Sequence, residues 1–184
     1  MSVAAVTKPF ISVEEYLAGE RVSEIRHEYI DGRVYAMTGA SDRHGLIVNA
    51  LAFALTPAAR RKGCQLFTSD MKLRLGISGK TVFYYPDLLL SCDPEDRESH
   101  FRQNPCLLIE VLSESTERID RREKLLAYQT LPSLQAYWMV AQDARRVEVH
   151  RRADNWQAQS LEDGQIAVDG LDLTLAVEKI DQDV

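Results

Sequence analysis

The stretches that decide the fold are Tyr84-Tyr85-Pro86-Asp87-Leu88-Leu89-Leu90 and Leu107-Leu108-Ile109-Glu110-Val111-Leu112, two apolar runs that each carry one carboxylate. Continuously apolar runs of this kind are typical of central strands in a sheet. A carboxylate on a buried strand is costly unless it is paired, protonated or bound to a metal. We therefore expect Asp87 and Glu110 to converge on a hard divalent cation. The alternative for either acid is a strand-end cap or an ion pair with an arginine.

Length and composition are those of an ordinary globular protein. The 184 residues, 45% apolar and 27% charged, predict a single domain over residues 1–184. No apolar run reaches the roughly 18 residues of a membrane span, and the first ten residues lack a signal-peptide pattern. We therefore expect a cytoplasmic protein with no membrane partner.

The net charge of −6 weakens the case for nucleic-acid binding without excluding it. The best candidates for contacts to phosphates are Arg121 and Arg122.

The three cysteines, Cys64, Cys92 and Cys106, are odd in number and lack Cys-x-x-Cys spacing. In a reducing cytoplasm this pattern predicts free thiols, neither disulfide-bonded nor ligands of zinc.

Helix and strand signals alternate along the chain. Ser12 opens a capping box for a short helix ending near Gly19, and Asp31-Gly32 predicts a hairpin between two β-prone runs. Ser41 caps a long helix over about residues 42–62, whose last turn Pro57 should distort or end. Further strands are predicted at 65–75, 82–91, 106–113, 136–140 and 147–151, a helix at 116–131, a mobile loop at 93–104, and a hairpin within 156–168. This order predicts a mixed α/β sandwich.

Two further groups could join the pair of acids. Glu28, at the start of the first hairpin, could supply a third oxygen directly or through water, or could pair with Arg26 or Arg33. Asp120, Lys124 and Tyr128 share one face of the third helix. They could form a surface ion pair of little energy, or Lys124 could reach over the site toward water or phosphate. We leave the roles of Asp120, Tyr128 and His44 open.

Several short motifs together resemble one family. They are Glu28-Tyr29-Ile30-Asp31-Gly32, Ser41-Asp42-Arg43-His44, Tyr85-Pro86-Asp87, Ile109-Glu110-Val111-Leu112-Ser113, Ser115-Thr116, Asp120 with Lys124 and Tyr128, and Tyr137-Trp138-Met139-Val140. Each is weak alone, but their order and spacing are specific. Over residues 12–151 the chain resembles the bacterial Uma-two family of restriction endonuclease-like proteins, within the wider PD-(D/E)xK nuclease superfamily.

The resemblance implies a restriction-endonuclease-like fold, a mixed central sheet flanked by helices with additional hairpins. It also implies Mg²⁺ or Mn²⁺ at Asp87 and Glu110, with the Val111 carbonyl as a further ligand, and hydrolysis of phosphodiester bonds. Leu112 departs from the motif, because it stands where the superfamily has a lysine. Lys124, on the following helix, is the residue that would replace that lysine.

These observations favour a metal-dependent DNA endonuclease that uses Asp87, Glu110, Lys124 and Glu28. One alternative is a nuclease-like module that binds nucleic acid or assembles without cleaving, which Leu112 and the acidic charge favour. Another is a metal-dependent hydrolase of a different phosphoester. A homodimer is compatible with cutting two strands, but no sequence feature requires it.

Overall fold

The computed structural model describes residues 10–113 and 117–180. The helices are α1 (Val13–Glu20), α2 (Asp42–Arg61), α3 (Glu117–Ile119) and α4 (Leu125–Tyr128), with a π-helical turn, Asp120–Lys124, joining α3 to α4. The strands are β1 (His27–Ile30), β2 (Arg33–Ala36), β3 (Gln65–Thr68), β4 (Lys72–Ile77), β5 (Lys80–Tyr84), β6 (Leu88–Ser91), β7 (Phe101–Arg102), β8 (Leu107–Val111), β9 (Ala136–Val140), β10 (Val147–Arg151), β11 (Ala158–Leu161), β12 (Gln165–Ala167) and β13 (Thr174–Ala176). Short 3-10 turns follow β10 and β13.

The strands form two large sheets and one small pair. The central sheet has six strands in the order β11-β10-β9-β8-β6-β3, and the second sheet has five in the order β2-β1-β5-β4-β7. Both are mixed, because β8 runs parallel to β9 and β4 runs parallel to β7 while the other neighbours are antiparallel. Strands β12 and β13 pair with each other. The predicted mixed α/β fold is confirmed.

Alternate residues of β8 face two different cores, as the two-residue repeat of a strand requires. Ile109 and Val111 pack in a core that includes the buried residues of α2, such as Leu51. Leu108 lies in a second core with Tyr128 of α4 and with apolar residues of the second sheet. The central sheet is therefore covered on both faces, which explains why its strands read as continuous apolar runs.

Several local signals act as predicted. Ser12 and Glu15 form the capping box at α1, and Ser41 caps α2. Asp31 and Gly32 both adopt positive φ in the turn between β1 and β2, as a two-residue hairpin turn requires.

Two predicted strands were wrong, because each is divided between the two sheets. The 65–75 segment becomes β3 in the central sheet and β4 in the second, separated at Ser69, whose φ is positive. The 82–91 segment becomes β5 in the second sheet and β6 in the central one. Pro86 lies between them and has no N–H to give to a ladder. Each run looks continuous in sequence because both halves are apolar, whichever sheet they join.

The long helix predicted over about residues 42–62 is confirmed, since α2 spans Asp42–Arg61. The exposed Pro57 gives up one backbone hydrogen bond without ending the helix. The third predicted helix needs a correction. The 116–131 helix is interrupted by the π-turn and ends at Tyr128, and its predicted first residue, Thr116, lies outside the described residues.

Two predicted connections also differ. The segment 156–168 does not form one hairpin, because β11 pairs with β10 whereas β12 pairs with β13. The 93–104 loop contains β7 and is anchored by buried Asp96, whose Oδ2 accepts the N–H groups of Gln103 and Asn104 at 2.8 Å.

The prediction of three free thiols was wrong for two of them. Cys64 and Cys92 form a disulfide, whereas Cys106 is a buried free thiol. Cys64 precedes β3 and Cys92 follows β6, so the two residues extend the antiparallel β3–β6 ladder by one pair. Because 28 positions separate them in sequence, only this strand pairing brings them together.

No helix in the described ranges is long and apolar enough to cross a membrane.

Candidate active site

The two acids lie at neighbouring positions, where β6 begins and near the end of β8. Leu88 of β6 pairs with Ile109 of β8, and the next pair in this antiparallel register is Asp87 opposite Glu110. Asp87 precedes the first residue of β6, whereas Glu110 lies within β8. Their side chains are close enough that the charge of Asp87 helps to raise the pKa of Glu110. The pleat and the register thus bring together the two acids that the sequence singles out.

Lys124 is the centre of a buried ionic cluster. Its Nζ lies 3.0 Å from Glu110 Oε1, 3.1 Å from Asp120 Oδ1 and 3.4 Å from Glu28 Oε1. Lys124 is 6% exposed, Asp120 1% and Glu110 3%. The interpretation of Asp120 and Lys124 as a surface pair is therefore wrong, since three carboxylates on three elements meet one buried ammonium.

The π-turn at Asp120–Lys124 shapes this cluster. A π-helix is wider than an α-helix, and single π-turns are frequent at functional sites. The turn still keeps Asp120 and Lys124 in contact at a four-residue spacing. Asp120 and Lys124 therefore lie on a π-helical turn, not on a face of a regular α-helix, where they meet Glu110 of β8.

Electrostatics in the cluster follow from burial and pairing. Burial raises the pKa of Glu110 well above its usual value, the Lys124 ammonium opposes that shift, and Asp120 and Asp87 add to it. Burial alone would lower the pKa of Lys124, but Glu110, Asp120 and Glu28 together raise it well above its usual value. Lys124 is thus held as a cation at neutral pH.

Tyr128 also holds Glu110 by a hydrogen bond. Its hydroxyl donates a 2.9 Å hydrogen bond to Glu110 Oε1, the oxygen that also accepts from Lys124. The fully buried ring of Tyr128 packs edge-on against Tyr84 and Tyr137. One carboxylate oxygen of Glu110 is therefore fixed by two donors from the same helical segment.

Asp87 is held by a different set of groups. Its Oδ2 accepts the Val111 N–H at 2.7 Å and lies 3.1 Å from His44 Nε2, near the start of α2. The start of α2 is tied to β8 as well, since Ser41 bonds Gln142 and the Gln142 amide donates to the Leu112 carbonyl. Sequence patterns alone assign no role to His44, because no spacing rule connects residues 43 positions apart.

Glu28 joins the lysine cluster and does not pair with Arg26. It lies against Lys124, whereas the neighbouring Arg26 pairs with Asp70 at 3.1 Å. Burial raises the pKa of Glu28, although Lys124 opposes that shift.

Arg121 does not present a free guanidinium to a phosphate. Its Nε lies 2.7 Å from Glu117, and its Nη1 lies 2.6 Å from Glu148 on β10. Glu148 also contacts His150 at 2.7 Å, so the arginine belongs to a chain of ion pairs that fixes the π-turn against the central sheet. This placement contradicts the expectation that Arg121 contacts phosphates, whereas Arg122 is exposed.

The acids of the site supply the oxygen donors that Mg²⁺ and Mn²⁺ prefer. Asp120 Oδ1 is buried within ionic contact of Lys124 but accepts no hydrogen bond, so this oxygen has unused acceptor capacity. Across the described ranges, no three His, Cys, Asp or Glu side chains stand together in the geometry of a metal site. In the cluster, the Lys124 ammonium lies among the carboxylates. The donor chemistry therefore fits a hard cation, with a lysine now balancing part of the charge.

Leu112 packs in the apolar core beside Tyr128. Its side chain brings no polar group to the cluster. The only cation within 4 Å of Glu110 among the described residues is Lys124.

Comparison with known proteins gives relatives and a fold neighbour. The chain is 36% identical over 148 residues to Uncharacterized protein slr1290 of a Synechocystis strain, covering 80% of this chain and 77% of the relative. It is 31% identical over 160 residues to Uncharacterized protein sll1609 of the same strain, covering 85% and 89%. A crystal structure described as a putative nuclease belonging to DUF820, from Anabaena variabilis, superposes with a TM-score of 0.73. That likeness covers 94% of this chain and 98% of the other at 17% identity, and it shows the fold.

A family model also matches this chain. Residues 13–178 match the model of Uma2, described as "Putative restriction endonuclease". The match takes in both strands that carry the paired acids, the whole of the lysine cluster and the start of α2. Since it spans far more than half of the chain, this protein belongs to the Uma2 family.

Proposed function

We propose that this protein is a divalent-metal-dependent endonuclease that hydrolyses phosphodiester bonds in DNA. The observation that carries the proposal is the cluster in which the buried Glu110, Asp120 and Lys124 meet the partly buried Glu28, beside Asp87. Burying so many charged groups is unfavourable for folding, and such groups concentrate at functional sites. Membership of the Uma2 family supports the same reaction class.

The proposed cofactor is Mg²⁺ or Mn²⁺, held by Asp87 and Glu110 with the Val111 carbonyl. Four carboxylates against one lysine leave negative charge that a divalent cation would offset. When bound, such an ion lowers the pKa of a coordinated water and stabilises charge on the phosphate.

The chain's own residues would position and stabilise the reacting groups. Lys124 takes the role of the lysine missing at Leu112 and stabilises negative charge developing on the phosphate. Tyr128 fixes the orientation of Glu110, and the Val111 N–H with His44 fixes Asp87. Glu28 supplies a further oxygen, directly or through water.

The proposal extends to the setting of the reaction. We infer that residues 1–184 act as one nuclease-like domain in the cytoplasm. A homodimer would allow both strands of a duplex to be cut.

One observation favours a second candidate, a nuclease-like module that binds DNA without cleaving it. Lys124 already contacts three carboxylates, so its ammonium is committed within the protein. If it cannot turn toward a phosphate, the site lacks its stabilising cation, because Leu112 cannot replace it.

Plasmid cleavage in Mg²⁺ or Mn²⁺, with chelator as the blank, tests the proposal. Glu110→Gln and Asp87→Asn should each lower cleavage about 100-fold or more, because each removes a preorganised charge. Glu98→Gln, a change at an exposed acid, should cleave as the parent does.

Three results would contradict the proposal in different ways. Unchanged cleavage by both site variants would show that the activity lies elsewhere. DNA retention without cleavage in any divalent metal would establish the non-cleaving module. Metal-dependent hydrolysis of small phosphoesters without action on DNA would establish a hydrolase of another substrate.

A further inference from the structure

Three sulfur atoms meet at the end of the central sheet remote from the candidate site. Cys92 follows the last residue of β6, and Cys106 precedes the first residue of β8. Asp87 and Glu110 lie toward the opposite ends of the same two strands. Cys64 and Cys92 form the disulfide, and the free Cys106 Sγ lies 3.6 Å from Cys92 Sγ. A thiol is therefore in van der Waals contact with one sulfur of a disulfide.

The cysteines border an open cavity of about 500 Å³, lined also by Lys62, Gly170 and Asp172. Cys92 is partly exposed, whereas Cys64 and Cys106 are buried. Gly170 closes over Cys106, since a Cβ on Gly170 would lie 2.8 Å from Cys106 Sγ. The backbone at Gly170 thus covers Cys106 Sγ on one side, and Cys106 Sγ contacts Cys92 Sγ.

We propose that these three cysteines form a thiol–disulfide exchange site with two alternative pairings. The Cys106 thiolate attacks Cys92 Sγ, a Cys92–Cys106 bond forms and the Cys64–Cys92 bond breaks. The bonding electron pair leaves with Cys64, which then takes up the proton that Cys106 lost. One disulfide and one thiol are present before and after, so the step needs no external oxidant or reductant.

The surroundings of Cys106 set the speed of the exchange. Burial raises the pKa of Cys106 to about 11, and the charge of Asp169 adds to that shift. Among the described residues, the other charged groups that border the cavity are Lys62 and Asp172, which pair at 3.0 Å. Only the thiolate attacks a disulfide, so exchange is slow near neutral pH and accelerates about tenfold for each unit of increase in pH below that pKa.

The exchange changes which segments of the chain the disulfide links. The Cys64–Cys92 pairing joins the residue before β3 to the residue after β6, whereas a Cys92–Cys106 pairing joins the residue after β6 to the residue before β8. Cys64 then becomes the free thiol, at the border of the cavity and directly after Gly63.

Peptide mapping tests the proposal on the full-length oxidised protein. The protein is incubated at about pH 9 to raise the thiolate fraction, quenched in acid, and labelled with a maleimide after denaturation. Digestion and mass spectrometry then identify the labelled cysteine and the cross-linked peptides. We expect the label on both Cys106 and Cys64, with both disulfides present, and the share on Cys64 to grow faster at higher pH.

Two variants sharpen the test. Cys64→Ser, treated with a low-molecular-weight disulfide such as oxidised glutathione, should form the Cys92–Cys106 bond. The matched Cys106→Ser variant should keep only the Cys64–Cys92 bond and show no exchange. Label confined to Cys106 in the parent protein at every time point would overturn the proposal, and that measurement stands even if a variant fails to fold.

Discussion

At the scale of the residue, Lys124 balances two buried carboxylates and one partly buried carboxylate, so its loss should lower stability as well as cleavage. In Lys124→Met, the buried Glu110 and Asp120 and the partly buried Glu28 would lose their cation. Removing one partner of a buried ionic group typically costs about 3–5 kcal/mol, and we expect a loss of that order in the free energy of unfolding. Urea denaturation measures it, and cleavage should be lost as well.

The control for Lys124→Met is a double variant that also removes a charge. Glu110→Gln in the Lys124→Met background relieves one unpaired carboxylate while keeping an acceptor for the Tyr128 hydroxyl. The double variant should be less destabilised than the sum of the two single changes, as coupled neighbours require. Additive effects would mean that the two groups act independently.

The raised pKa of Glu28 gives a pH dependence with a definite sign. A carboxyl whose pKa is higher in the folded state than its usual 4.5 binds its proton more tightly when folded. The stabilisation of the folded state that comes from this protonation is complete below pH 4.5. It is lost as the pH rises through the pKa that Glu28 has in the folded state. Glu28→Gln carries no such charge, so it should gain stability relative to the parent as the pH rises toward neutrality.

Urea midpoints across the acidic to neutral range measure this gain. Glu98→Gln, a change at an exposed acid outside the site, serves as the comparison. A constant difference between Glu28→Gln and the parent would contradict the raised pKa.

The residues that the sequence singles out are those whose partners are near in the chain and the acids on apolar runs. Asp120 and Lys124 are four positions apart, and Asp87 and Glu110 stand out because acids on apolar runs are rare. The His44–Asp87 contact and the Cys64–Cys92 bond have no such mark, since they depend on how α2 and β3 pack on β6. Whether Glu28 would meet an arginine or join the site was open for the same reason.

At the scale of the element, we expect Pro57 to destabilise α2. The proline lies inside the helix, is exposed, and lacks the N–H that an α-helix would use one turn back. Pro57→Ala should restore that hydrogen bond and raise the free energy of unfolding by up to about 3 kcal/mol. Thermal and urea unfolding measure it. A Pro57→Ala variant less stable than the parent would show that the helix is built around the proline.

Helices and hairpins with local sequence signals were predicted well. The assignment of strands to one sheet or the other was not. The β1–β2 hairpin follows from Asp31-Gly32, and the caps of α1 and α2 follow from serines before polar first turns. The splitting of 65–75 and 82–91 reflects competition between two sheets for apolar segments. That competition is decided by long-range pairing, which neither composition nor periodicity records.

At the scale of the whole molecule, the net charge of −6 and the engagement of Arg121 predict weak DNA binding without divalent cations. Ca²⁺, which takes the same oxygen ligands, should tighten binding by offsetting the acids of the site. Fluorescence anisotropy with a labelled duplex measures the change. Glu110→Gln should respond less to Ca²⁺, and equal affinity with and without the ion would remove the metal from the binding step.

The strand order of the central sheet also has a consequence for biosynthesis. Strand β8 lies between β6, which precedes it in the chain, and β9, which follows it. A chain emerging from the ribosome therefore holds Glu110 on an unpaired sheet edge until β9, at Ala136–Val140, has been made, and Lys124 arrives only shortly before. Glu110 therefore gains its second neighbouring strand only after Lys124, the cation that it contacts, has been made.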